Sequence, residues 1–132
     1  MFTLDRVNRP ACPFCNLPQE RVFLDTGTAL AFLDAHPVTE GHTLVIPKRH
    51  VASIFELPSK ELADIWTQVA TVRKLLTKKC SPDGFNVGVN DGAAAGQTIA
   101  HAHVHVIPRR IGDAPDPRGG IRWIIPGKAK YW

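Results

Sequence analysis

The sequence predicts an α+β fold, a five-stranded antiparallel sheet carrying one main helix and one short helix. Three observations lead there: short apolar segments separated by turn formers, a single apolar stripe of helical period over 59–80, and a length of 132 residues, which fits one compact domain. A domain of this size buries roughly two thirds of the surface its unfolded chain exposes, so it can hold a core without disulfides.

The elements follow in order. Val22–Asp25, Ala29–Leu33 and Thr43–Ile46 read as strands, with Asp25-Thr26-Gly27-Thr28 as the hairpin turn between the first two. Pro47 ends the third strand, and Val51–Glu56 is expected to form the short helix before the Leu57-Pro58 break. Ser59 is the expected N-cap of the long helix, whose apolar stripe is Leu62, Ile65, Trp66, Val69, Val72 and Leu76. That helix should stop near Cys80, because Ser81-Pro82-Asp83-Gly84 concentrates breakers. Phe85–Val89 then reads as a strand, 90–96 as a small-residue loop and Ala102–Ile107 as the last strand. Beyond Pro108 the chain is richer in Gly and Pro, yet Ile121-Arg122-Trp123-Ile124-Ile125 and Tyr131-Trp132 are too apolar for a free tail. Residues 109–132 are therefore expected to dock, within a single domain spanning 1–132 or on a partner subunit.

Composition excludes several classes. With 44% apolar and 21% charged residues the chain is an ordinary globular protein rather than a disordered one. No apolar run approaches the ~20 residues of a membrane span, and MFTLDRVNRP lacks an export signal, so the reading is a cytoplasmic protein with no membrane association. Sixteen Lys and Arg against twelve Asp and Glu give +4, scattered as Lys48-Arg49, Lys78-Lys79 and Arg109-Arg110. That pattern suits a solvated surface, and nucleic acid is not expected as a partner. Three cysteines cannot make a disulfide framework, and two of them stand as Cys12-Pro13-Phe14-Cys15.

The chemistry concentrates in His101-Ala102-His103-Val104-His105-Val106-Ile107. Side chains alternate across a strand, so the three imidazoles line one face, open to a substrate, while Ala102, Val104 and Val106 pack inward. One metal cannot bind all three rings, because the outer two sit about 13 Å apart on a strand and zinc–nitrogen bonds are about 2.1 Å. Histidines that merely fill half-buried strand positions through hydrogen bonds are a competing reading, a poor one for three in five residues; the favoured reading is nucleophilic attack at phosphorus by a neutral imidazole with a neighbouring ring as donor. The preceding loop, Asn90 to Thr98, offers small residues and the polar side chains of Asn90, Gln97 and Thr98 for a phosphate, without the Gly-Lys-Ser/Thr of a P-loop.

These residues carry a resemblance. Gly96-Gln97-Thr98-Ile99-Ala100 followed by the triad and Pro108-Arg109, together with Gly41-His42-Thr43-Leu44-Val45-Ile46-Pro47-Lys48-Arg49-His50, resembles the histidine triad family of nucleotide hydrolases over about residues 12–110. The resemblance implies a hydrolase that cleaves a nucleoside 5′-phosphoryl bond through a nucleotidyl-histidine, releasing AMP. It implies His103 as nucleophile, His105 at the α-phosphate and leaving oxygen, and His42 as a supporting imidazole, with His101 beginning the triad. It places Gly96, Asn90, Gln97 and Thr98 near the phosphates and Asp34 at the ribose of a purine nucleotide. His36 matches no functional position and reads as a surface residue.

It also implies partners for the two cysteines: Cys12, Cys15, His50 and His101 would form a Cys₂His₂ set for structural zinc. A redox Cys-x-x-Cys and two unbound thiols are the competing readings, and Cys80 is a separate thiol at the helix end. The third triad position is His105 rather than the glutamine of the transferase branch, which favours hydrolysis. Adenosine phosphoramidates and dinucleoside polyphosphates both fit as substrates. The resemblance further implies a homodimer, with the helix Ser59 to Cys80 and the apolar tail as contact surfaces. The alternative to an enzyme is a zinc-stiffened nucleotide sensor whose histidines only grip phosphate.

Overall fold

The structure, a computed structural model, describes residues 11–132; the segment read above for an export signal lies outside them. Five strands form one antiparallel sheet: β1 (Val22–Asp25), β2 (Ala29–Leu33), β3 (Thr43–Pro47), β4 (Gly84–Val89) and β5 (Val104–Arg109). Their spatial order is β1-β2-β3-β5-β4, so β5 lies inside the sheet and β4 forms an edge. The single long helix among the described residues, α1 (Ser59–Cys80), connects β3 to β4.

Alternation along the strands gives the sheet two different faces. On one, Ala29, Ala31, Val45, Val104 and Val106 pack with Ile65, Val69, Val72 and Leu76 of α1. Burying each Val, Leu or Ile side chain there contributes about 1.5–3 kcal/mol. On the other, Phe32, Leu44 and Ile46 pack with Cys12 and Phe14 of the N-terminal segment. The histidines belong to this second face. At β5 the register sets Val104 against both Val45 and Val89, and His105 against both Leu44 and Gly88.

Beyond strand ends that shift by a residue or two, such as β5 running on to Arg109 rather than Ile107, four details differ from the sequence reading. β5 begins at Val104 rather than Ala102, because the Ala102 N–H leaves the sheet and donates to Val51 O at 2.8 Å. Ser59 is the first helical residue rather than the N-cap; Pro58 holds that position, and its carbonyl accepts from the Leu62 N–H. The short helix shrinks to one 3₁₀ turn, Ile54–Glu56, closed by a capping box between Ser53 and Glu56. Trp66, placed in the core stripe, is 43% exposed.

Two buried polar groups lock α1 to the sheet. Gln68 donates to Ala29 O at 3.3 Å, and Arg49, directly after β3 and Lys48, makes a two-point ion pair with Glu61 at 3.0 and 2.6 Å. The tail folds mostly on itself: the guanidinium of Arg122 donates to Ala129 O and Lys128 O, and the Trp123 indole donates to Arg118 O. It touches β4 where Gly120 meets Asn86, while Ile111, Ile121, Ile124, Ile125 and Tyr131 stay exposed. No helix among the described residues is long and apolar enough to cross a membrane.

Candidate active site and metal centre

The approach to β5 separates the three histidines. His103 and His105 stay together, with ring centroids 5.2 Å apart. His101 turns towards the N-terminal segment and has no exposed surface, and His103 keeps only 8%, so the expectation of three imidazoles open to substrate is corrected: His105 alone of the three is partly exposed. Both its ring nitrogens are engaged: Nε2 donates to Pro47 O at 2.8 Å, which leaves the Nδ1 lone pair facing Cys12 Sγ at 3.4 Å.

Hydrogen bonds fix the tautomer of each remaining ring. His103 Nδ1–H donates to the carbonyl oxygen of His101 at 2.8 Å, so Nε2 carries the lone pair. His42 Nδ1 accepts the Val38 N–H at 3.1 Å, which puts its proton on Nε2, 3.0 Å from His105 Nδ1. His105 therefore accepts on Nδ1 and keeps its proton on Nε2. One nitrogen able to attack thus stands beside a ring able to donate. Asp34 Oδ2 lies 3.5 Å from His42 Nε2, and its Oδ1 accepts the His36 N–H. Asp34, His42 and His105 bring their donor atoms within 4.8 Å of one another, but the proton held on His42 Nε2 makes this a hydrogen-bond chain rather than a ligand set.

Burial favours the neutral form of His105 and His42. It pushes His105 down to about 4, helped by repulsion from His103 and His42 and opposed by Asp34. It also lowers His42, again against Asp34. The sign follows: below pH ~6.5 an unfolded chain binds protons that the folded rings refuse, so folding stability declines as pH falls from ~6.5 towards 4. Nitrogen-15 NMR should find His105 neutral and protonated on Nε2 at pH 6; a His105 midpoint near 6.5 would contradict this arrangement.

Gly41 explains how His42 reaches its place. Its φ is +90°, and a Cβ there would stand 3.0 Å from Cys80 Sγ and 3.2 Å from Pro108 Cγ, so only glycine fits. The loop after β4 is held by Gln97, whose Oε1 accepts the Gly92 N–H while Nε2 donates to Ala52 O and Ile99 O. Gln97 braces the loop with its amide, whereas Asn90, Gly96 and Thr98 lie on the exposed surface. Asn90 follows Val89, the partner of Val104, and so lies beside the approach to His103.

The other cluster joins Cys12, Cys15, His50 and His101, whose donor atoms all lie within 4.8 Å of one another. Cys15 Sγ is 3.2 Å from His50 Nδ1 and 3.7 Å from His101 Nδ1. A tetrahedron built on ordinary Zn–S and Zn–N bonds has S···N edges of about 3.6 Å, so the donor set fits such an ion. Burial pushes His101 down to about 4, which favours the neutral form that a metal needs.

The sequence pattern of the HIT domain matches residues 18–112. The chain belongs to the histidine triad (HIT) family. This HIT protein is 42% identical over 93 residues to the asymmetrical bis(5′-nucleosyl)-tetraphosphatase of Schizosaccharomyces pombe, covering 70% of this chain and 51% of that protein. It is 37% identical over 107 residues to an adenylylsulfatase of Arabidopsis thaliana, covering 77% of this chain and 54% of that one. It spans about half the length of each of those relatives. The crystal structure of a zinc-bound histidine triad family protein from Mycobacterium smegmatis superposes with a TM-score of 0.71 at 33% identity, covering 90% of this chain and 94% of that one.

Two features of the HIT site were not read from sequence. Phe14, between the two cysteines, sets its ring edge-on to His101 and His103 at centroid distances of 5.8 and 5.3 Å. The pair Arg49 and Glu61 secures the residue next to His50. An aromatic between paired cysteines was the available signal for the first; the second depends on a contact across the fold that no local pattern encodes.

Proposed function

We propose that this HIT protein hydrolyses nucleoside 5′-phosphoryl bonds, of dinucleoside polyphosphates or adenosine phosphoramidates, and releases AMP. The observation that carries the reading is the tautomer of His103, whose Nδ1–H is held by the His101 carbonyl so that Nε2 is ready to attack. Nε2 bonds to the α-phosphorus as the bond to the leaving group breaks, and the same carbonyl stabilises the positive charge that develops on the ring. His105, its Nδ1 held by His42, directs its Nε2–H at the leaving atom, the phosphate oxygen of a polyphosphate or the nitrogen of a phosphoramidate, which departs as phosphate or, once protonated, as amine. Water then displaces the nucleotide from His103, freeing AMP and restoring the neutral imidazole. Asn90, Gly96 and Thr98 take the phosphate oxygens, Gln97 holds their loop, and the Asp34 carboxylate receives the ribose hydroxyls.

Cys12, Cys15, His50 and His101 hold a structural zinc ion in this reading. When bound, the ion clamps the N-terminal segment to the start of the triad without acting on substrate. The residue whose carbonyl orients the nucleophile is itself one of the four ligands, so the metal site and His103 share one piece of backbone.

The direct test is AMP release from diadenosine tetraphosphate and from adenosine phosphoramidate, assayed side by side. Cleavage of either supports the hydrolase, and the better substrate assigns the branch. No cleavage of either by zinc-loaded protein that still binds AMP would refute it.

The HIT protein is also expected to form a homodimer. β4 is an edge strand with Val87 40% exposed, and Trp66, Leu75 and the tail isoleucines supply further uncovered apolar surface. Light scattering should give twice the chain mass; the monomer mass at micromolar concentration would contradict it.

A further inference from the structure

The two cysteines adjoin the triad through the residue between them. They flank Phe14, and that ring touches both His101 and the nucleophile His103. Cys12 Sγ and Cys15 Sγ lie within 4.8 Å of each other, and the Cys15 N–H points at Cys12 Sγ at 3.4 Å. Cys12 is 8% exposed, and Cys15 is half-buried, so a small oxidant reaches Cys15 first.

We infer that Cys12 and Cys15 form a peroxide-reactive pair, and that their oxidation to a disulfide releases the zinc and disables His103. The inference rests on the zinc reading above. The thiolate of Cys15 attacks one oxygen of hydrogen peroxide, giving a sulfenic acid and releasing hydroxide. The thiolate of Cys12 then attacks that sulfur and displaces a second hydroxide, closing the disulfide. In sum two thiolates, one peroxide and two protons yield one disulfide and two waters, and Zn²⁺ departs because disulfide sulfur is no longer an anionic ligand. Two-residue spacing permits such a bond once the sulfurs no longer point at a shared ion.

The consequence for catalysis runs through two contacts. His101 loses the ion facing its Nδ1, and its carbonyl is the group that orients His103. Phe14, carried on the closed loop between the cysteines, loses its fixed position against the His103 ring. Disturbing the shell that supports a site typically costs 10–100-fold, so turnover should fall at least about tenfold. Cys80 lies apart from this cluster, packed against Gly41, and serves as an internal control.

The experiment treats zinc-loaded full-length protein with hydrogen peroxide and follows three quantities: zinc release with a chromogenic chelator, thiol state by mass spectrometry after alkylation, and AMP release. Mass spectrometry reads the cysteines whether or not the oxidised protein stays folded. The expected result is one zinc released per Cys12–Cys15 disulfide, a parallel loss of turnover, and recovery of both with dithiothreitol and added zinc. Cys80→Ser should respond like wild type. Zinc retained with both thiols reduced would overturn the inference, as would zinc loss through irreversible sulfinic acids. Metal-free untreated protein would instead overturn the zinc reading, and the switch with it.

Discussion

His103→Ala is expected to lower turnover by about 10⁴-fold or more while AMP still binds within about tenfold of wild type. Removing a nucleophile that acts together with its orienting groups costs this much in other enzymes, because the residual site retains only binding and electrostatic stabilisation. The split between rate and affinity is the informative part. Asp34, Asn90 and Thr98 remain in place in the variant, so the ribose and phosphate partners proposed for the nucleotide are kept. A sensor whose histidines only grip phosphate would behave the other way, losing affinity with no comparable change in rate. The His103 ring is 8% exposed and packs against Phe14 and His105, so the variant leaves a small cavity, and a melting curve should accompany the assay.

The second large effect concerns stability. Stripping the proposed zinc with a chelator is expected to lower the melting temperature by more than about 10 °C. Structural zinc contributes about 10–16 kcal/mol of apparent binding energy in small zinc-dependent folds. A fraction of that is enough here, since each kcal/mol shifts the midpoint of a domain this size by roughly 2–8 °C. The Cys12 to Phe14 segment covers the second face of the sheet against Phe32, Leu44 and Ile46, so losing its anchor exposes apolar surface as well. A melting temperature unchanged by complete metal removal would show that the four ligands do not hold a structural ion.

Much of this was legible in the residues. The order and type of the elements followed from Gly, Pro and Asp breakers and from the helical stripe of 59–80, because those signals are local. The boundaries that moved depend on distant contacts: Val51 O takes the Ala102 N–H and shortens both β5 and the short helix. Trp66 lies on the helical stripe in sequence but is absent from the buried cluster between α1 and the sheet, and stays 43% exposed. At the site, the alternating histidines identified themselves, yet strand geometry placed all three towards substrate. Only the turn before Val104, which ties His101 to Pro47, separates the buried member from the two that remain together. The role of the pair Arg49 and Glu61 is set by tertiary packing alone, whereas Phe14 had a local signal in its place between the two cysteines.

The most direct test of the central claim is to trap the covalent intermediate. Zinc-loaded enzyme mixed with substrate, quenched within milliseconds in alkali and digested, should yield a peptide carrying one adenylate on His103, and none from His103→Ala. A reaction that releases AMP rapidly with no adenylated histidine at any quench time, and with inversion of configuration at the α-phosphorus, would mean that water attacks directly and that His103 is not the nucleophile.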